Sequence, residues 1–159
     1  MKLLLAGLLY LLLSLPLLSQ ESYLGAKSIS FELGGVGGVA SLNYERVFLE
    51  RKRYALAGRV GLSFAPVDRN NGTAIIIPVL VEALIGRSRS RLELGVGQGF
   101  TVTTKGNPFA LTIASVGYRF QGNNSRFYYR IAYTPLVSYL IDFQVQHWGG
   151  IGIGYRLKN

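Results

Sequence analysis

The chain of 159 residues contains no cysteine, and it has only one histidine, one methionine and one tryptophan. The absence of cysteine excludes a disulfide framework, a thiolate metal site and a lipid-modified cysteine. Acidic residues are few, with eight Asp and Glu against seventeen Lys and Arg, which gives a formal net charge of +9. Beyond the first twenty residues no segment has a helical period of apolar residues, and twenty glycines argue against long helices. We therefore expect an almost entirely β-structured domain.

The chain opens with an apolar leader. A basic second residue precedes the run Leu3–Leu18, which is shorter than the roughly 20 residues of a membrane-spanning helix. This pattern predicts a secretory signal peptide over residues 1–19, cut before Gln20, and one domain over residues 20–159. An uncleaved anchor helix is the alternative, and it is disfavoured because no basic cluster directly follows the run.

The rest of the chain repeats a rhythm of strand-length stretches, each near the length of a membrane-spanning β-strand. In most of them large apolar or aromatic side chains alternate with glycine, small polar or charged ones, so that one face suits lipid and the other a polar interior. The predicted strands are 28–34, 39–48, 54–65, 73–85, 91–102, 109–121, 126–136 and 148–157. Because an even number of antiparallel strands lets the first and last pair, the sequence predicts an all-β fold, an eight-stranded antiparallel up-and-down transmembrane β-barrel.

The connections between these strands predict which end of the barrel faces outward. Short connections at 49–53, 86–90 and 121–125 are expected on the periplasmic side with both termini, and longer external loops at 34–38, 66–72, 103–108 and 137–147. Pro78 lies within the almost continuously apolar fourth strand and predicts a bulge or local distortion there. Outward aromatic residues, among which we count Trp148, are expected at the two lipid interfaces.

The alternation also predicts a cluster of charges inside the barrel. The inward face collects Glu45, Arg59, Glu82, Arg91, Glu93, Arg119, Arg130 and Arg156. An eight-stranded barrel leaves a lumen just wide enough for side chains, so these groups are expected to pair across it and exclude a continuous water path. The cluster therefore favours a plug over a pore, and a narrow solute or ion channel is the alternative.

Several short motifs, in order along the chain, resemble a known family. They are Phe31-Glu32-Leu33-Gly34-Gly35, Ser41-Leu42-Asn43-Tyr44-Glu45-Arg46, Arg59-Val60-Gly61-Leu62-Ser63, Leu92-Glu93-Leu94-Gly95-Val96-Gly97, Gly117-Tyr118-Arg119-Phe120, Arg130-Ile131-Ala132-Tyr133-Thr134-Pro135-Leu136 and Gly152-Ile153-Gly154-Tyr155-Arg156-Leu157. The chain resembles the small outer-membrane β-barrel proteins of the Bacteroidetes, which share their architecture with OmpA/OmpX-type barrels. This resemblance implies a Gram-negative outer membrane, contact with its lipid, and insertion by the barrel-assembly machinery.

The resemblance brings no catalytic residues with it, and most relatives have no assigned activity. Such proteins generally end on an aromatic residue after Gly-Tyr-Arg, whereas this chain ends Leu157-Lys158-Asn159. A lipid A-modifying enzyme would need a serine, a histidine and an acid, and Ser138, Asp142 and His147 share one predicted loop. The composition of the chain alone can place three such residues in one loop, so their presence does not indicate an active site.

We therefore expect a structural or interaction protein of the outer membrane, not an enzyme, with no catalytic residue, cofactor or metal. Nucleic acid is not an expected partner, because the leader exports the chain and the basic residues fall mainly in tight connections. Any external ligand or protein partner is not identified by the sequence. A secreted, lipocalin-like soluble binder is a further alternative, but it would turn its apolar residues inward.

Overall fold

The computed structural model describes residues 25–68, 72–86, 89–104, 108–122, 125–138 and 143–157. The predictions of a signal peptide over residues 1–19 and of cleavage before Gln20 lie outside the described residues. In the part of the chain that is described, no helix is long and apolar enough to cross a membrane.

Eight antiparallel strands form one closed sheet. They are β1 (Lys27–Gly34), β2 (Ala40–Glu50), β3 (Tyr54–Asp68), β4 (Gly72–Ile85), β5 (Ser90–Thr103), β6 (Phe109–Gln121), β7 (Phe127–Ser138) and β8 (Gln144–Arg156). Each strand pairs with its neighbours in sequence, and β8 returns to β1 with pairs that run from Ser28↔Arg156 to Gly34↔Gly150. The predicted closed eight-stranded all-β barrel is confirmed.

The alternation of side chains explains why these segments form a barrel. On β7, Tyr129 and Ile131 are exposed on the outer surface, whereas Tyr128 and Arg130 between them are buried in the lumen. Successive side chains of a strand point to opposite faces, so a closed sheet separates the two sets completely. The outer surface is therefore apolar and the lumen holds the polar residues.

The barrel has two distinguishable ends. The turn end carries the connections after β2, β4 and β6 together with the first and last described residues, and the loop end carries the connections after β1, β3, β5 and β7. At the turn end the β2–β3 connection is closed by a hydrogen bond from the backbone N–H of Arg51 to the carbonyl oxygen of Tyr54 (2.8 Å).

Two predicted loops at the loop end are shorter than the sequence indicates. The prediction of a loop over 137–147 is wrong in extent, because β7 continues to Ser138 and β8 begins at Gln144. Residues 144–147 are all exposed, so they show no apolar and polar alternation that would reveal a strand. The predicted loop 66–72 shrinks likewise, because β3 reaches Asp68 and β4 begins at Gly72.

Of the bulge or local distortion predicted at Pro78, the bulge is wrong, whereas the distortion is confirmed as a gap in the β3–β4 ladder. Pro78 pairs with Gly99 of β5, and the β3–β4 register is the same before it (Ser63↔Ile76) as after it (Val60↔Val79). Between these two β3–β4 pairs the described ladder has no pairs, since proline has no backbone N–H to donate. The irregularities of register lie instead between Val47 and Leu49 on β2 and between Pro66 and Asp68 on β3.

Candidate functional site in the barrel lumen

The lumen is unusually polar for a protein interior. Among the described residues, eighteen buried side chains are polar or charged and thirteen, Pro78 included, are apolar or aromatic. Soluble proteins show the opposite preference, because burying a polar group costs free energy unless it is hydrogen-bonded or paired. The free-energy cost of burying these charges therefore depends on whether each one has a partner.

Seven charged side chains, one from each of β1 to β7, form a paired network in the middle of the lumen. We call this set the central network: Glu32, Glu45, Arg59, Glu82, Glu93, Arg119 and Arg130. All seven are buried, and each carboxylate lies within ion-pair distance of at least one arginine. Because the partners come from different strands, the network ties opposite walls of the barrel together.

Arg59 and Arg119 are the two bridging arginines of the central network. Arg59 pairs with Glu32 on one side and donates through Nη1 to Glu82 Oε1 at 3.0 Å on the other. Arg119 donates through Nη1 and Nη2 to the two oxygens of Glu45, at 2.9 and 2.6 Å, and through Nε to Glu93. This use of the planar guanidinium fork gives both geometric specificity and strength.

Arg130 joins the two halves of the central network. Its Nη2 lies 3.0 Å from Glu93 Oε2, and its guanidinium lies 3.7 Å from Glu82 and 3.8 Å from Glu32. It therefore contacts carboxylates that belong to both Arg59 and Arg119. Removal of one member would leave buried charges without their partners, which costs about 3–5 kcal/mol in comparable buried pairs.

The structure brings most of the predicted cluster together. Six of the eight predicted residues belong to the central network, namely Glu45, Arg59, Glu82, Glu93, Arg119 and Arg130. The other two, Arg91 and Arg156, line a recess at the turn end instead. Sequence reasoning missed Glu32, although its position on β1 between the outward Phe31 and Leu33 already marks it as inward.

The loop end of the lumen is closed by apolar side chains. The connection after β1 forms a 3₁₀ turn over Gly35–Gly37, which we call the lumenal turn. It folds into the barrel, so that Val36 is only 1% exposed and packs with Leu80, Ile113 and Leu136. The sequence predicted a loop at 34–38 on the side of the longer loops, and the segment does lie at the loop end, but it folds into the lumen and is buried.

Glycine permits this close approach. Gly35 has a φ of 81°, a conformation that other residues rarely adopt, and a Cβ there would lie 2.7 Å from the carboxyl carbon of Glu32. A Cβ on Gly37 would collide with Ser63, whose hydroxyl lies 2.6 Å from the Gly37 carbonyl oxygen and donates to it. The glycines therefore allow the lumenal turn to rest directly on the central network.

Trp148 belongs to this closure and not to an outer aromatic belt. It lies on β8, is half-buried, and packs against the cluster formed by Val36, Leu80 and Ile113. The expectation that it marks a lipid interface is wrong, since its strand parity matches that of the inward Gly150. The other aromatics expected outside, such as Tyr118 and Phe120, are exposed on the outer surface.

Among the residues that the structure describes, none closes the turn end of the lumen. A recess of about 430 Å³, counting the solvent at its mouth, lies between the central network and the chain ends. Its buried lining includes Arg91, Arg119 and Tyr128, and its partly exposed lining includes Arg89 and Arg156. Arg119 stacks over the Tyr128 ring, with its guanidinium carbon 4.3 Å from the ring centre. Arg119 and Glu45 of the central network also line the recess.

The three residues considered for catalysis do not form one site among the described residues. His147 lies on β8, exposed, where its Nδ1 forms a hydrogen bond with the Tyr133 hydroxyl and its ring stacks on that of Tyr133. It pairs with Pro135, three positions along β7 from Ser138, which places Ser138 about 10 Å away. Asp142 lies outside the described residues.

The described residues also hold no group of three or more His, Asp or Glu side chains arranged to bind a metal ion.

Comparison with known proteins shows the fold. The chain is similar to the solved structure of the Yersinia pestis outer-membrane protein Ail in a phospholipid bilayer nanodisc. The similarity has a TM-score of 0.56 and 14% sequence identity, and it covers 84% of this chain and 99% of that one. No protein-family model and no curated protein sequence matches the chain. The similarity therefore shows the fold, a closed antiparallel β-barrel.

Proposed function

We propose that this chain is an integral outer-membrane β-barrel protein with a structural or interaction role. The observation that carries the proposal is the contrast between the two faces of the closed sheet. Apolar side chains such as Val96, Ile131 and Ile151 are about 60% exposed around the outside, while arginines and glutamates fill the inside. A monomeric soluble protein rarely exposes such a continuous apolar surface, whereas a barrel in lipid requires one.

The similarity to Ail supports the same reading, since that protein is an outer-membrane barrel studied in a bilayer. We further propose that the chain belongs to the small outer-membrane barrels of Gram-negative Bacteroidetes, on the strength of the ordered strand motifs. In this orientation the turn end faces the periplasm and the loop end the outside. Lipid and the barrel-assembly machinery are then its expected partners.

We propose that the lumen is closed and does not serve as a channel. The central network spans the barrel, and the apolar packing of Val36 with Leu80, Ile113 and Leu136 closes the loop end independently. The charged central network and the apolar packing at the loop end therefore form two layers between the two ends of the lumen. A role through surface contacts with lipid or protein is consistent with both layers.

We likewise propose that the chain is not an enzyme. His147, the one histidine, is engaged by Tyr133 on the outer side of the barrel and lies away from the charged lumen. Nothing in that arrangement presents a serine hydroxyl to the imidazole, which nucleophilic catalysis requires.

Expression of the full chain in a Gram-negative host tests the membrane proposal. We expect the protein to fractionate with the outer membrane and to migrate differently on a gel before and after heating, as closed barrels do. A soluble periplasmic product would contradict the proposal and would make an inward-facing ligand site the leading idea.

A pair of substitutions on the outer face sharpens this test. Ile131 lies near the middle of β7 and is 61% exposed. In a bilayer Ile131→Arg should destabilise the barrel by about 2–4 kcal/mol and reduce the heat-modifiable fraction, while the Ile131→Leu control should not. If Ile131→Arg instead leaves folding unchanged or raises solubility, the outer face is in water and the proposal fails.

A further inference from the structure

The cations of the barrel are concentrated at one end. Apart from the three arginines of the central network, every Lys and Arg among the described residues lies at the turn end, and none lies at the loop end. They are Lys27, Arg46, Arg51, Lys52, Arg53, Arg89, Arg91, Arg126 and Arg156. Clustered Lys and Arg residues beside a membrane attract anionic headgroups, so the turn end is the end of the barrel that suits an anionic leaflet.

Two of these cations, Lys27 and Arg46, lie side by side on the outer face of the sheet. Lys27 begins β1 and pairs directly with Arg46 of β2, and both side chains are exposed. Directly opposed residues of antiparallel strands bring their Cβ atoms within about 5.5 Å of each other, and like charges there destabilise the sheet. Neither side chain forms an ion pair with another described residue. We call these two residues the cation pair, and an anion that bridges them would offset their repulsion.

The cation pair lies at the border of the apolar outer surface. The next outward row on the same strands consists of Ile29 and Tyr44, which pair with each other, and Tyr155 of β8 continues this row beside Ile29. All three side chains are exposed. Aromatic residues are typical of the level at which a barrel meets lipid headgroups, and the long stems of Lys and Arg let their charged groups reach that level. The position of the cation pair therefore matches the level of lipid headgroups.

The surface beside the cation pair is open. On its other side Arg46 pairs with Gly58 of β3, which has no side chain. A Cβ at Gly58 would contact only the ring of Phe48, at 3.9 Å. The next outward residue of β3 towards the middle of the barrel is Val60, and it is exposed. A headgroup bound by the cation pair would therefore have apolar surface next to it for its acyl chains.

We propose that the cation pair binds the phosphodiester headgroup of an anionic phospholipid in the leaflet around the turn end. Lys27 and Arg46 donate to the phosphate oxygens, which the guanidinium fork matches in geometry. The acyl chains lie over the apolar rows towards the middle of the barrel, and the lumen takes no part. The inference rests on the membrane location proposed above and deepens it, because it names the class of lipid and the residues that select it.

Lipid retention by the folded full chain tests the cation pair. The protein is reconstituted in nanodiscs with equal amounts of phosphatidylglycerol and phosphatidylcholine, and native mass spectrometry counts the lipids that stay bound on release. We expect the unaltered chain to retain phosphatidylglycerol in preference to phosphatidylcholine. Lys27→Gln and Arg46→Gln should each lower this preference roughly fivefold, since one cation near a membrane surface contributes about that factor. Heat-modifiable gel migration verifies that each variant is folded.

Lys52 provides the matched control. It lies at the same end and is exposed, but it belongs to the β2–β3 connection, beyond the last paired residues of the two strands. Lys52→Gln removes the same charge and should lower the preference by less than about twofold, whereas Lys27→Arg keeps the charge and should keep the preference. The inference is overturned if Lys52→Gln acts as strongly as Lys27→Gln, because the attraction would then depend on total charge and not on the cation pair.

The same samples separate this inference from the membrane proposal. A chain that enters nanodiscs and shows heat-modifiable migration, but retains the two lipids equally, contradicts the binding of an anionic headgroup and leaves the membrane proposal intact. A chain that does not enter nanodiscs contradicts both.

Discussion

The two ends of the lumen differ. Among the described residues, the loop end is closed by packing and the turn end is not. At the loop end the lumenal turn inserts Val36 among Leu80, Ile113 and Leu136, and the contact is apolar. At the turn end no segment of the described chain folds inward to the same extent, and arginines surround a recess. Between the two ends the central network joins seven strands by charge.

The difference shows that the two ends of the lumen are built from side chains of different chemistry. Apolar packing at the loop end needs no partner outside the chain, so it is complete in the folded protein. The loop end is therefore closed by packing within the chain, whereas the turn end is lined by arginines.

Loss of Arg59 should have the largest effect, because it disrupts the layer that separates the two ends. Arg59→Ala leaves Glu32 and Glu82 without their nearest cation, with Arg130 3.8 and 3.7 Å away. We expect the free energy of unfolding to fall by about 3–5 kcal/mol. Urea unfolding in detergent micelles, followed by gel migration, measures this change.

The control for Arg59→Ala is Lys52→Ala, which removes a cation from the exposed β2–β3 connection. It should change the free energy of unfolding by less than about 0.5 kcal/mol. Equal effects of the two substitutions would show that the central network does not stabilise the barrel.

Truncation of Val36 should have an intermediate effect and tests the closure at the loop end. Val36→Ala removes buried methyl groups from contact with Leu80 and Ile113, and we expect a loss of about 2 kcal/mol. The matched control is Val39→Ala, since Val39 is 43% exposed. The same urea titration applies, and a loss no greater than that of Val39→Ala would contradict the packed loop end.

Substitution of Tyr128, which lies where the recess meets the central network, should have a smaller effect on the free energy of unfolding. Its ring lies under the Arg119 guanidinium, and its hydroxyl is 3.3 Å from Ser28 Oγ. Tyr128→Phe keeps the ring and should cost about 1 kcal/mol, while Tyr128→Leu should cost roughly 1 kcal/mol more. Unfolding free energies of the two variants measure the difference, and identical values would exclude a contribution from the stacked ring.

Conductance should not change at all when only one closure is weakened. We expect no current through the unaltered barrel in planar bilayers, and none through Arg130→Ala or Glu93→Ala, because the apolar packing at the loop end remains. A new current in either variant would show that the central network alone blocks the lumen, and would revive the channel alternative.

Much of the architecture is predictable because strand parity is a local property. Alternation along β7 places Tyr128 and Arg130 inside, and the same reasoning applied to β1 would have included Glu32. The extent of β8 is not predictable in this way. Residues 144–147 are exposed on both faces of the sheet. Backbone pairing with β7 holds the ladder there, so the side chains do not alternate between apolar and polar.

The sequence by itself therefore determined the number of strands and, for most positions, which side chains face the lumen, since the facing of a strand residue depends on a period of two residues. Only the tertiary structure decided which charges pair, because register and barrel closure bring Arg59 to Glu32 and Arg119 to Glu45 across the lumen. The inward fold of Val36 was decided in the same way. A short glycine-rich turn is compatible with either side of the barrel, and the space available in the lumen selects the inside.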